Sequence, residues 1–160
     1  MLRACSKPTA TPSKIIITVG LPGSGKSTYL ARLGVNAISS DEIRRLIADD
    51  PRDQSMNARI FATIRYLVSQ RLAAGRPETY VDATHLTHWE RQPYIRLAQL
   101  HGCEIEALFF DVPVDVCIQR NQGRERVVPE QAIRDMAALL QPPTEGEGFA
   151  RIERVINAPL

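Results

Sequence analysis

Apolar residues along the chain follow two rhythms, and their alternation predicts the architecture. Lys14-Ile-Ile-Ile-Thr-Val19 is a β-branched run without alternation, which suits a strand covered on both faces. Gly20 to Gly25 interrupt it, and 26–33 predicts a helix. Residues 35–39 predict a second strand and 41–48 a helix closed by Asp-Asp-Pro. Met56, Ile60, Phe61, Ile64, Leu67, Val68 and Leu72 then recur at three- and four-residue steps, an amphipathic helix that Gly75-Arg-Pro77 terminates. Residues 78–82 predict a strand. Thr87-His-Trp-Glu90 is a capping-box pattern that starts a helix running to about His101. A strand over 104–111, helices over 114–120 and 129–140, and a final strand over 151–157 complete the series. Strands alternating with helices at this spacing predict an α/β fold, a mostly parallel central sheet with helices on both faces.

The chain of 160 residues is the size of one domain. Residues 1–13, rich in Ser, Thr and Pro, read as a flexible tail, and 14–160 as the single domain. The start lacks the apolar core of a secretory signal, and no apolar run approaches the roughly 20 residues of a membrane span. The expectation is a cytoplasmic protein with no membrane partner. Cys5, Cys103 and Cys117 form no ligand or disulfide pattern, and the latter two are expected to be reduced and buried. A net charge of +2 demands no polyanionic partner, although arginines outnumber lysines seventeen to three.

The strongest chemical signal is Gly20-Leu21-Pro22-Gly23-Ser24-Gly25-Lys26-Ser27, followed by Thr28, between a strand and a helix. This is the GxxxxGK[ST] P-loop. Its glycines let backbone N–H groups face phosphate oxygens, and the helix head adds partial positive charge. Lys26 is placed to reach the β- and γ-phosphates and the Ser27 hydroxyl to ligate Mg²⁺. The implied ligands are ATP, as the nucleoside triphosphate, and Mg²⁺.

Asp41 sits where the second strand meets its helix, on the carboxyl edge where such sheets bind ligands. It suits either a general base that takes the proton of an attacking hydroxyl or a plain helix cap. Arg44, one turn later, suits a bidentate grip on a substrate phosphate. Arg120, Arg124 and Arg126 crowd a segment without an apolar stripe, as either an anion-binding lid or a solvated face paired with Glu125 and Glu130. Asp82 ends the third strand as a candidate for ordering Mg²⁺ through water, with Thr84 and His85 beside it as candidates for touching acceptor or phosphate. Asp111 reads equally as the acidic end of a strand or a turn residue before Pro113. Trp89 reads as helix packing.

GLPGSGKST, SSDEIR, VDATHL, QRNQGRERVVPE and PPTEGEGF, in this order and at these intervals, resemble the P-loop kinase family that includes the polynucleotide 5′-hydroxyl kinases of bacterial and phage end-healing enzymes. The resemblance runs from about Lys14 to Val155. It implies a P-loop NTPase three-layer sandwich with an arginine-bearing lid, and transfer of the ATP γ-phosphate to a hydroxyl. It makes Lys26, Asp41 and Arg124 catalytic, with Asp41 as general base. Arg44 is implied on the phosphate beside the acceptor hydroxyl, and Arg120 is a second lid arginine over the nucleotide. Where His85 stands, the family more often has asparagine. The expected acceptor is the 5′-OH of a nucleic-acid end, for which Arg44, Arg45, Arg52 and Arg91 are candidates for a basic track. Tyr66, Tyr80 and Tyr94 fall on predicted core elements, so stacking platforms are not evident. A kinase of a small hydroxylated metabolite or nucleoside uses the same parts, and a non-catalytic ATP-binding module is the third reading.

Overall fold

A computed structural model describes residues 12–156; the expected tail up to residue 11, with Cys5, lies outside them. Five strands, β1 (Lys14–Val19), β2 (Ala37–Ser39), β3 (Glu78–Asp82), β4 (Glu104–Phe110) and β5 (Arg151–Val155), form one sheet in the order β2-β3-β1-β4-β5. Every pairing is parallel, so the sheet is more uniform than the sequence pattern required. Six α-helices are described: α1 (Lys26–Leu33), α2 (Ser40–Ala48), α3 (Asn57–Ala73), α4 (His88–His101), α5 (Val114–Gln122) and α6 (Glu130–Leu139). Pro129, expected inside the last of these, is its N-cap instead.

The β-branched run of β1 is buried on both faces, as its lack of alternation predicts. Ile15, Ile17 and Val19 pack with Ile60, Ile64, Val68 and Leu72 of α3 and Tyr94, Ile95 and Ala98 of α4. On the opposite face Ile16 packs with Leu30 of α1 and with Leu108 and Phe110. Helix, sheet, helix: three layers result. A third apolar cluster, including Leu21, Leu86, Cys117, Ile118 and Ile133, seats α5 and α6 against the loops beyond the carboxyl ends of the strands.

The strand order is what places the site. From β1 the chain goes outward through α1 to β2, and then returns to lay β3 between them. The order therefore reverses beside β1, and ligands in open α/β sheets bind at such a reversal. Ser39 lies in register with Asp82 across the β2–β3 pair, so the segments that follow both strands emerge side by side.

Several packing expectations need correction. Trp89 is 70% exposed on α4, its ring tilted against His88, and packs into no core; the capping box fixes the helix start without burying its second residue. Tyr66 is also exposed, while Tyr94 is buried. Cys117 is buried but Cys103 only half-buried, because it follows the turn that ends α4 at Gly102. The PPTEGEGF segment proves structural. Thr144 and Glu147 form a capping box, Glu147 grips Arg91 through both carboxylate oxygens, and Phe149 enters the core.

Candidate active site

The glycine-rich turn is a strained path that its sequence makes possible. Gly23 and Gly25 take φ of 81° and 93°, where a side chain is unfavourable. A Cβ on Gly23 would lie 2.3 Å from the Cys117 carbonyl oxygen, so α5 rests directly on the turn. Ser24 is buried, and Gly25 caps α1, whose first residue is Lys26. The Lys26 ammonium donates to the carbonyls of Gly20 (3.1 Å) and Leu21 (2.7 Å). Burial pushes its pKa down to about 8, a shift that the Arg124 charge reinforces and the Asp82 carboxylate opposes.

The Ser27 hydroxyl donates to Asp82 Oδ2 at 2.6 Å. Asp82 thus lies on the P-loop side of the site. A hydroxyl and a carboxylate this close are the oxygen donors that suit Mg²⁺, which takes one or two protein ligands and fills its shell with phosphates and water. Among the described residues no cluster of three acidic, His or Cys side chains exists, and that chemistry needs none.

A cavity of about 630 Å³ opens over these groups. Lys26, Ser27, Asp82 and Arg124 line it at one end, and Asp41, Arg44, Arg52, Gln54, Asn57 and Arg126 also line it. Pro22, Phe61, Leu86, Val127, Val128 and Met136 supply apolar wall, and Thr84 lines it too. Ser39 caps α2 by accepting from the Glu42 amide, so the cap is not Asp41. The Asp41 carboxylate, half exposed, instead accepts from Arg44 Nη1 (3.2 Å) and Arg126 Nη1 (2.7 Å). Arg44 is buried and lowered in pKa mainly by that burial; its Nη2 donates to Asn57 Oδ1 at 2.9 Å, and Asn57 donates on to Gln54.

Other candidates lie elsewhere. His85 is not a surface residue beside phosphate. It is 2% exposed, with Nδ1 2.7 Å from the Thr18 carbonyl and its ring edge-on to Tyr94, and burial pushes it down to about 4. Its φ of 43° turns the side chain inward while Thr84 and Leu86 face the cavity. Arg91 is not available to a basic track. Fully buried, it donates to Glu147 and to the carbonyls of His85, Leu86 and Gln141, pinning the turn after β3. Asp111 pairs with Arg154 of β5 through both Nε and Nη2 and does not line the cavity. Arg120 sits on α5 outside the lining, with Nη1 buried and unpartnered. Thr28 is exposed on α1.

Sequence reasoning missed Gln54 and Asn57. They precede or open the long amphipathic helix, and only its apolar face carries a periodic signal. A folded contact was needed to join them to Arg44.

Comparison with known proteins agrees with this geometry. The AAA domain family matches residues 15–143, and the chain belongs to it. Within that family the parallel sheet, its helices and the P-loop define a P-loop kinase fold, a nucleotide-binding architecture that supports phosphotransfer. A chain of the Pnkp1/Rnl/Hen1 RNA repair complex superposes with a TM-score of 0.69 at 24% identity, over 86% of this chain and 47% of that one. This chain therefore spans about half the length of that relative. A gluconokinase from Sinorhizobium meliloti 1021 superposes at 0.60 and 19% identity, over 94% and 85% of the two chains. The Mycobacterium tuberculosis APS kinase CysC, in complex with AMPPNP and APS, superposes at 0.60 and 19%, over 93% and 91%. At these identities the likeness is one of fold. No helix among the described residues is long and apolar enough to cross a membrane.

Proposed function

We propose that residues 14–160 form one kinase domain that moves the γ-phosphate of ATP to a hydroxyl, with the 5′-OH of a polynucleotide as acceptor. The observation that carries this reading is that Asp41 lines the same cavity as Lys26, Ser27 and Arg124. A carboxylate facing the P-loop across open space is placed to receive a proton; one walled off by packed side chains would not be. In the proposed step the acceptor oxygen bonds to the γ-phosphorus, its proton passes to Asp41, and the bond to the bridging oxygen breaks to release ADP. Lys26 and Arg124 supply positive charge to the transferring phosphoryl group, and loop amides hold the β-phosphate. Ser27 and Asp82 would hold Mg²⁺, which when bound neutralises phosphate charge. Arg44 would grip the phosphate beside the acceptor hydroxyl. Consumption of ATP suits a cytoplasmic location.

The polynucleotide acceptor draws support from the likeness to a chain of an RNA repair complex and from arginines at the acceptor end. One observation favours a small hydroxylated metabolite or nucleoside instead: burial of Arg91 shortens the basic track a strand would follow. Radiolabel transfer from ATP to a 5′-OH oligonucleotide decides between them. Asp41→Asn is expected to lower transfer by about 10²–10⁴ with nucleotide affinity unchanged. Full activity of Asp41→Asn refutes the base. Label on a small acceptor with none on the oligonucleotide establishes the second reading.

A further inference from the structure

Both hydrogen bonds that reach Asp41 end on Oδ1, and the two donors differ in kind. Arg44 comes from the next turn of α2, is 6% exposed in its side chain, and is anchored a second time by Asn57. Arg126 comes from the segment between α5 and α6, 85 residues away in sequence. Its side chain is 26% exposed, and Asp41 is the hydrogen-bond partner found for it among the described residues. One carboxylate therefore joins the two sides of the cavity and is shared by two guanidinium groups, with one positive charge left over. Arg52 also lines the cavity but is paired with Asp50, and Glu90 is taken up by the capping box of α4.

We propose that Arg126 is a displaceable clasp that selects the acceptor: it holds Asp41 until an anionic group beside the acceptor's hydroxyl takes it over. The inference rests on Asp41 as the base. Both donors fall on Asp41 Oδ1 and occupy the lone pairs on which that oxygen would receive the proton of a hydroxyl. When Arg126 transfers to the acceptor phosphate beside Arg44, it leaves Asp41 Oδ1 open to the incoming hydroxyl, while Asp41 keeps its bond to the anchored Arg44. Arg126 only exchanges one anion for another. A neutral alcohol or a water molecule offers no such exchange and meets a base still clasped. The favoured acceptor class is thus one that presents a hydroxyl with a phosphate next to it.

Arg126→Gln removes the charge and keeps a hydrogen-bond donor. The readouts are kcat/KM for a nucleoside 3′-phosphate and for the same nucleoside, with ATP hydrolysis measured without acceptor. The natural chain is expected to prefer the phosphorylated acceptor by about tenfold to a hundredfold, the range a charged hydrogen bond supports. In Arg126→Gln that preference should collapse to a few-fold (on the order of 3), while acceptor-free ATP hydrolysis rises above that of the natural chain. Arg126→Lys should retain part of the preference, since it keeps the charge but loses the fork; it carries the comparison if Arg126→Gln melts early. An unchanged preference overturns the clasp, as does an equal fall for both acceptors and for water, the mark of a purely structural contact. Should the natural chain phosphorylate neither nucleoside nor its 3′-phosphate, the polynucleotide reading fails separately. Acceptor-free hydrolysis then decides the clasp: a variant at or below the natural rate overturns it.

Discussion

At the P-loop end of the cavity the chain builds its walls with backbone; at the Asp41 end it does so with side chains. Gly20 to Ser27 is one continuous stretch, fixed by glycine dihedrals, by α5 packed on Gly23, and by a buried Lys26. Asp41, Arg44, Asn57 and Arg126 come from α2, the head of α3 and the segment before α6, held together by hydrogen bonds of 2.7–3.2 Å between polar side chains. Backbone geometry that serves every nucleoside triphosphate can stay fixed, whereas side-chain contacts can be exchanged without refolding the loop. A fold built this way can change its acceptor while keeping its phosphate donor.

The largest expected effect breaks the backbone-built end. Gly23→Ala forces a Cβ to 2.3 Å from the Cys117 carbonyl oxygen at a φ of 81°, and neither backbone can yield cheaply. Steric overlap and dihedral strain together should cost about 3 kcal/mol or more. That corresponds to roughly 6–12 °C in Tm for a chain of this size, with loss of nucleotide binding. Thermal melts and ATP titrations check it. A variant with natural Tm and ATP affinity would show that the turn is not fixed by α5 as described.

The same contrast explains what was legible in the sequence. A contiguous motif declares itself: the P-loop, the capping box at Thr87 and the β-branched run of β1 all depend on neighbours in the chain. Asp41 and Arg44 were visible because they share one helical turn. Arg126 was visible only as one of three crowded arginines, since its partner lies 85 positions away. His85 and Arg91 were misread for a related reason. Each is polar, His85 just past β3 at the expected ligand edge and Arg91 in the first turn of α4, yet each is satisfied internally, His85 by the Thr18 carbonyl and Arg91 by Glu147 and three carbonyls. Composition cannot distinguish a polar group that faces a ligand from one that staples a turn.

His85 gives the next effect, and it lies beneath the cavity rather than in it. Burial lowers its pKa from the ordinary 6.5 to about 4. Between those values the unfolded chain binds a proton that the folded chain refuses, so stability rises with pH across that window and is lost as pH falls from 6.5 towards 4. The loss attributable to this group should be on the order of 2 kcal/mol. His85→Asn keeps an N–H donor for the Thr18 carbonyl, tolerates positive φ and cannot titrate. Denaturant unfolding at pH 7 and pH 4.5 should show a smaller acid loss in the variant than in the natural chain. Equal losses would assign the acid sensitivity to other groups.

The smallest effect sharpens the comparison at the Asp41 end alone. Asn57 touches neither Asp41 nor the P-loop; its Oδ1 accepts from Arg44 Nη2, and its Nδ2 donates to Gln54. Arg44 already has one buried nitrogen, Nε, without a partner, so Asn57 and Asp41 together fix where its fork points. Asn57→Ala removes one of these two constraints and should cost about 1.5 kcal/mol of stability, the low end for a hydrogen bond to a charged group, since the site is half-buried. Its informative effect is kinetic. If Arg44 grips the acceptor's phosphate, a loosened fork raises the acceptor KM by about tenfold. The KM for ATP should hold, because the loop that binds ATP takes no support from α3 through this contact. Initial rates with each substrate varied in turn distinguish the outcomes. A rise confined to the acceptor makes Asn57 a positioning residue and confirms that the two ends are built separately; equal rises in both KM values would mean the ends are mechanically joined and the division drawn between them is wrong.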